Sequence, residues 1–84
     1  MSKYGRQPAR MALRRERYTI RLAAELIGVP ESHLRIAVGG YARPMDAVRE
    51  KLPTLVGVPL EELFTPAALA KPYDASKNAW ADLS

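Results

Sequence analysis

Seven prolines and five glycines divide this sequence of 84 residues into short segments. Within the segments, apolar residues recur every three or four positions, and no segment alternates with the two-residue period of a strand. Proline is favoured at the first position of a helix, and glycine just beyond its last position. The sequence therefore predicts an all-α fold built from short helices.

Five helices are predicted between these breaks. They cover about residues 8–17, 19–28, 30 or 31 to 39, 45–57 and 59–64. Pro53 stands inside the fourth helix, where its ring and missing N–H disturb helical hydrogen bonding. We therefore expect a break or a kink near Leu52.

The predicted helices define one domain with an addition at each end. Residues 1–7 are short, polar and basic, and are predicted to form a flexible arm. Residues 8–64 form the predicted domain. Residues 65–84 are a C-terminal extension, with short helices expected after Thr65 and Asp74 and a role in packing on the domain or in dimerisation.

The composition excludes several classes of protein. The absence of cysteine excludes disulfides and thiolate metal sites, and His33 has no ligands at metal-binding spacing. No nucleophile–base pair is recognisable, so we expect neither catalysis nor a cofactor. No apolar run approaches the ~20 residues that span a bilayer, and no signal peptide is recognisable. These features predict a soluble cytoplasmic protein without membrane contact.

The charge is unevenly distributed. The formal net charge is +4, and residues 1–49 hold ten Lys and Arg against four Asp and Glu, whereas residues 50–84 hold three against five. A basic half suggests a surface that meets a polyanion, with double-stranded DNA as the first candidate. A basic face can also serve solubility alone, so charge by itself does not decide.

A helix-turn-helix pattern lies at the centre of the basic half. Ala24 is small where two helices would approach, Gly28 permits a tight turn, and Val29 and Leu34 fill the angle between the helices. Ala37 continues the same face. In this motif the second helix lies in the major groove and the first crosses the phosphates.

From Thr19 to Phe64 the sequence resembles the helix-turn-helix domains of phage repressors and Cro proteins. The shared positions are Thr19, Ala24, Gly28, Val29, Leu34, Gly40, Pro44, Leu52, Gly57, Val58, Glu62, Leu63 and Phe64. The resemblance implies a five-helix DNA-binding domain of the repressor/Cro type, commonly dimeric on a near-palindromic operator, from a bacterium or its phage.

The third helix carries the candidate base-reading residues. Its spacing turns Ser32, Arg35 and Ile36 outward with Glu31 beside them, and these are positions at which the family reads bases. Arg35 can donate two hydrogen bonds to guanine, Glu31 can accept from cytosine, Ser32 suits either, and Ile36 can pack on a thymine methyl. Alternatively, Glu31 and Arg35 form an ordinary surface pair.

Candidate phosphate contacts surround this helix. They are Thr19 at the start of the second helix, together with Arg21, His33, Tyr41 and Arg43. Tyr41 is alternatively a lid on the core, and His33 a surface or partly packed residue. Arg10 and Arg14 are expected to face solvent.

Leu22 and Leu26 occupy positions that are normally polar in the family. Two exposed leucines need cover, either from Trp80 and Leu83 of the same chain or from another chain. These four residues are the predicted partner or dimer contact.

The leading hypothesis is a sequence-specific transcriptional regulator that represses by occupying its operator. One alternative is an excisionase-like architectural protein, which would require a β-hairpin wing after Gly40, where the pattern is helical. Another is a helix-turn-helix scaffold for protein–protein interaction, such as an antitoxin or a host-factor binder.

Overall fold

The helices of this chain are short and follow one another closely. The computed structural model describes residues 3–73, which contain no strand. The helices are α1 (Ala9–Arg15), α2 (Ile20–Ile27), α3 (Glu31–Val38), α4 (Asp46–Val56) and α5 (Pro66–Leu69), with a 3-10 turn at Leu60–Glu62 before α5. The predicted all-α fold is confirmed. The predicted helix over 59–64 is only the 3-10 turn, and the one expected after Asp74 lies outside the described residues.

Local sequence sets the ends of α2. The Thr19 hydroxyl accepts the backbone N–H of Leu22 at 3.0 Å and so satisfies a donor that has no partner within the helix. Gly28 ends α2 with a φ of 78°, a left-handed conformation that glycine adopts without steric strain. The short turn of Val29 and Pro30 then leads into α3.

Helix α4 continues through Pro53, so of the break or kink expected near Leu52 the break is wrong, and the kink stays a prediction. Val48, Leu52 and Val56 are buried on one side of α4, and their burial offsets the lost hydrogen bond. The Pro53 carbonyl also accepts the N–H groups of Gly57 and Val58, which end the helix. Tertiary packing therefore outweighs the local effect of proline.

Helix α2 packs against both α3 and α4 and forms the centre of the domain. The small residues Ala24 and Ala37 are buried, as are Val29 and Leu34. The predicted burial of these four residues, in α2, the turn and α3, is thus confirmed. Ala68 of α5 belongs to the same core, so this part of the C-terminal extension packs on the domain.

The start of the chain is docked on the domain. Tyr4 N–H donates to Gly40 O at 2.8 Å, and Gln7 N–H donates to Val38 O at 3.2 Å. The Gln7 side chain is 1% exposed, and its Oε1 accepts the N–H of Thr65 at 2.8 Å. The prediction of a flexible arm is therefore wrong for residues 3–7, because backbone and buried side-chain hydrogen bonds fix them at the end of α3.

Candidate nucleic-acid interface

Helix α3 has one buried side and one exposed side. Leu34, Ala37 and Val38 are buried, whereas Ser32 and Arg35 are exposed. Glu31 and Ile36 are half-buried at the margins of the exposed side. The predicted burial of Leu34, Ala37 and Val38 is confirmed, as is the exposure of Ser32 and Arg35. Ile36, expected to point outward, is half-buried, and the four candidate base-reading residues share the exposed side and its margins. Their contact with bases stays a prediction.

Arg35 and Glu31 form an ion pair along this surface. Arg35 Nη2 donates to Glu31 Oε2, and both side chains are substantially exposed to solvent. An exposed pair at this spacing contributes only ~0.3–0.5 kcal/mol. A bidentate contact with a base is worth about 1–3 kcal/mol, so a duplex can displace the pair. The surface-pair alternative is therefore compatible with base reading.

The start of α2 presents polar groups to solvent. Thr19 is exposed even though its hydroxyl caps the helix, and Arg21 is exposed in the first turn. The Arg21 guanidinium lies 3.8 Å from the Glu25 carboxylate, a long ion pair between exposed side chains. Thr19 and Arg21 are thus accessible to a phosphate, as the sequence predicts.

His33 is buried, which agrees with the alternative of a packed residue and opposes the predicted position beside the DNA. It is 6% exposed, and its Nε2 accepts the N–H of Met45 at 3.0 Å, just before α4 begins. Its ring meets the Tyr73 ring edge-to-face, with 4.8 Å between centroids. Burial lowers the pKa of the His33 imidazole. Because Nε2 accepts a hydrogen bond, the neutral ring carries its proton on Nδ1.

Arg43 is half-buried and binds backbone groups of its own chain, and its predicted contact with phosphate stays a prediction. Its Nη1 donates to Ala67 O at 2.7 Å and Ala68 O at 3.3 Å, carbonyls at the C-terminal end of α5. Its guanidinium also lies over the Tyr4 ring, 4.9 Å from the centroid. Arg43 therefore holds α5 in place. Tyr41, by contrast, is 56% exposed, which excludes the alternative of a lid on the core.

Arg49, like Arg43, donates to backbone carbonyls of its own chain, and the sequence did not predict this role. Its Nε donates to Pro44 O at 2.8 Å and its Nη2 to Lys71 O at 2.7 Å. Burial lowers the pKa of Arg49, and the positive charge of Arg43 lowers it further, while Asp46 opposes the change. Because the hydrogen-bond partners of Arg49 are backbone carbonyls, no pattern of side chains in the sequence predicts these contacts.

Leu22 and Leu26 form an exposed apolar face on α2, at 43% and 56% exposure. Leu26 also lines a shallow, open groove of 310 Å³ between α2 and α4, with Lys51 and Leu55 on its far side. The predicted partners Trp80 and Leu83 lie outside the described residues. Within residues 3–73 the two leucines are thus left accessible to another chain.

Two further findings on residues 3–73 concern membrane spans and groups of metal-binding side chains. Their helices are too short and too polar for a membrane span. They also hold no group of three His, Asp or Glu that could bind a metal ion. What these residues do present is an exposed helix face with cationic neighbours. In comparisons with known proteins, no family model, curated protein or solved structure matches this chain.

Proposed function

We propose that this protein is a sequence-specific regulator that binds double-stranded DNA through the exposed side of α3. The carrying observation is the juxtaposition of Ser32, Arg35, Glu31 and Ile36 on one surface of a helix whose other side is buried. A helix with side chains is ~10–12 Å wide, and the major groove of B-DNA is ~12 Å wide. The dimensions suit insertion of α3 into the groove.

Each group on this surface has a task in the proposed complex. Arg35 donates to the O6 and N7 atoms of guanine, and Glu31 accepts from the amino group of cytosine. Thr19 and Arg21 contact the phosphates beside the groove and set the position of α3. Bound at an operator, the protein blocks RNA polymerase and represses transcription.

The segment after α3 supports the proposal. An excisionase-like protein would continue into a β-hairpin wing after Gly40, but residues 41–73 contain only helices and turns. The winged alternative therefore does not fit the described part of the chain. A regulator of the repressor type needs no wing, and its specificity depends on the face of α3.

Selection of bound sites from a random duplex pool tests this function. The full chain should enrich one sequence family, and paired half-sites should appear if it binds as a dimer. An Arg35→Ala variant should enrich a different or weaker consensus, whereas Arg14→Ala, which removes an equal charge from exposed α1, should enrich the wild-type consensus. Failure of the wild-type chain to enrich any sequence would refute sequence-specific binding.

A protein-interaction scaffold is the second candidate, and the exposed Leu22 and Leu26 favour it. An apolar face of this kind marks contact with another protein chain. If the protein enriches no DNA sequence but binds a partner through this face, then the Leu22→Gln/Leu26→Gln variant should lose that partner. Arg35→Ala should retain it. The two variants therefore separate the two functions.

A further inference from the structure

A cluster of positive charge lies where the start of the chain meets the end of α3. Lys3 Nζ lies 5.5 Å from the centroid of the Tyr4 ring, and Arg43 Cζ lies 4.9 Å from the same centroid. The Tyr4 ring packs against the core and is half-buried. Folding therefore holds two cations, from distant parts of the sequence, on one aromatic side chain.

The positive charge of this cluster is not neutralised by carboxylates within residues 3–73. The two ion pairs found there are Arg21 with Glu25 and Arg35 with Glu31, on α2 and α3. Arg43 donates instead to carbonyl oxygens, which carry no net charge. A concentration of uncompensated cations attracts an anion, because the anion relieves their mutual repulsion.

The cluster is fixed rigidly to the end of the proposed reading helix. Besides the bond from Tyr4 N–H to Gly40 O, the backbones of Gly5 and Gly40 are in direct contact. A Cβ on Gly40 would lie 1.7 Å from the Gly5 carbonyl oxygen. This close approach holds residues 3–7 against the last turn of α3, so the cluster keeps its position relative to Arg35.

Two exposed groups immediately follow, in the sequence, the two glycines that are in contact. Arg6 is exposed in the docked segment, between Gly5 and the buried Gln7. Tyr41 is exposed immediately after Gly40, and its N–H donates to Ile36 O at 2.9 Å. Lysine, arginine and tyrosine side chains are common donors to phosphate oxygens in protein–DNA complexes. We refer to Lys3, Arg6, Tyr41 and Arg43 as the terminal basic patch.

We propose that the terminal basic patch is a second phosphate-binding edge of the DNA interface, on the sugar–phosphate backbone beyond the C-terminal end of α3. This inference rests on the proposed function. Lys3 and Arg6 supply exposed cationic donors, and Arg43 supplies positive charge while it holds α5. Because phosphates carry no sequence information directly, the patch contributes affinity rather than specificity.

The salt dependence of DNA binding tests the patch. Dissociation constants would be measured between about 50 and 200 mM salt for the wild-type chain and for Lys3→Ala/Arg6→Ala, on a selected site and on a random duplex. The logarithm of the association constant falls with the logarithm of the salt concentration, and each lost phosphate contact reduces the magnitude of this slope by about 0.9. The double variant should reduce the magnitude of the slope by about 1–2 on both duplexes. The ratio of the dissociation constants for the selected site and the random duplex should stay unchanged.

Arg10→Ala/Arg14→Ala is the matched control, since it removes the same charge from exposed positions on α1. It should change the slope less than the patch variant does. An equal change in both variants, or a loss confined to the selected site, would overturn the inference while leaving DNA binding intact. If the wild-type chain binds neither duplex, the proposed function and the patch fall together.

Discussion

Gln7 and Thr65, 58 positions apart in the sequence, are joined by a hydrogen bond of 2.8 Å from the Thr65 N–H to the Gln7 Oε1. The Gln7 Nε2 donates at the same time to Gly5 O at 2.8 Å and to Tyr4 O at 3.1 Å. One buried amide therefore ties the start of the chain to the beginning of α5. The same side chain therefore binds both the docked segment and the extension.

Gln7→Ala should lower the free energy of unfolding by about 1–3 kcal/mol, because the backbone groups that Gln7 satisfies lose their partner. Urea denaturation followed by circular dichroism measures the change. Arg10→Ala, at an exposed position on α1, should change stability by less than about 0.5 kcal/mol. Similar stabilities for the two variants would show that the bridge from Gln7 to Thr65 contributes little.

His33 should make stability depend on pH. Burial lowers the pKa of His33 in the folded protein below its ordinary value of 6.5, so the unfolded chain binds the proton more tightly. The contribution of neutral His33 to the free energy of unfolding is complete above pH 6.5. It declines as the pH falls from 6.5 toward the lowered pKa of the folded protein. The melting temperature should therefore decrease as the pH is lowered from about 7.5 to 5.5, an interval that lies above the ordinary pKa values of carboxylates.

His33→Gln is the control for this pH dependence, because a glutamine Oε1 can accept the Met45 N–H without titrating. The variant should show a smaller decrease in melting temperature over the same interval. An equal decrease in both proteins would assign the pH dependence to other groups. The comparison also separates the titration of His33 from the packing of its side chain. A packing defect would lower the melting temperature of the variant at every pH.

Arg35→Ala should reduce discrimination between the selected DNA site and a site with one substituted guanine. Loss of a bidentate contact lowers the difference in binding free energy by about 1–3 kcal/mol, a roughly 5- to 150-fold change in the ratio of Kd values. Fluorescence anisotropy on the two duplexes measures this ratio. Arg21→Ala, next to the phosphates, should weaken both duplexes alike, and an equal loss of discrimination there would contradict the assigned roles.

Leu22→Gln/Leu26→Gln should dissociate a dimer that uses the exposed face of α2. Both side chains are already largely exposed, so the change should affect the stability of the isolated chain far less than a core substitution would. Sedimentation equilibrium of the wild-type and variant chains measures their masses. A wild-type chain that stays monomeric at high concentration, or a variant that stays dimeric, would exclude this face as the dimer contact.

The core and the helix ends could be predicted because they depend on local spacing. Leu34 and Ala37 of α3 are spaced at a helical interval, as are Val48 and Leu52 of α4, and Gly28 marks the end of α2 through its own conformational preference. The continuity of α4 could not be predicted, because burial of Val48, Leu52 and Val56 opposes Pro53 only once the core exists. Tertiary context overrode a sound local rule.

The errors at the candidate site have a different cause. His33 shares a helical face with Ala37, four positions later, and this spacing was the available signal that it is buried. Arg43 and Arg49 gave no such signal, because their partners are main-chain carbonyls contributed by residues 67–71 and Pro44. The exposed side of α3 was predictable, whereas the neighbours that fix its surroundings depended on long-range folding.

The contact between the backbones of Gly5 and Gly40 has a consequence for mutational tolerance. With φ at 84° and no space for a Cβ, position 40 admits glycine alone without displacing the first residues of the chain. A saturation library sorted for folded protein should therefore return one amino acid at this codon, although the side chain there performs no chemistry. The same library should accept many residues at position 41, where the tyrosine side chain is exposed.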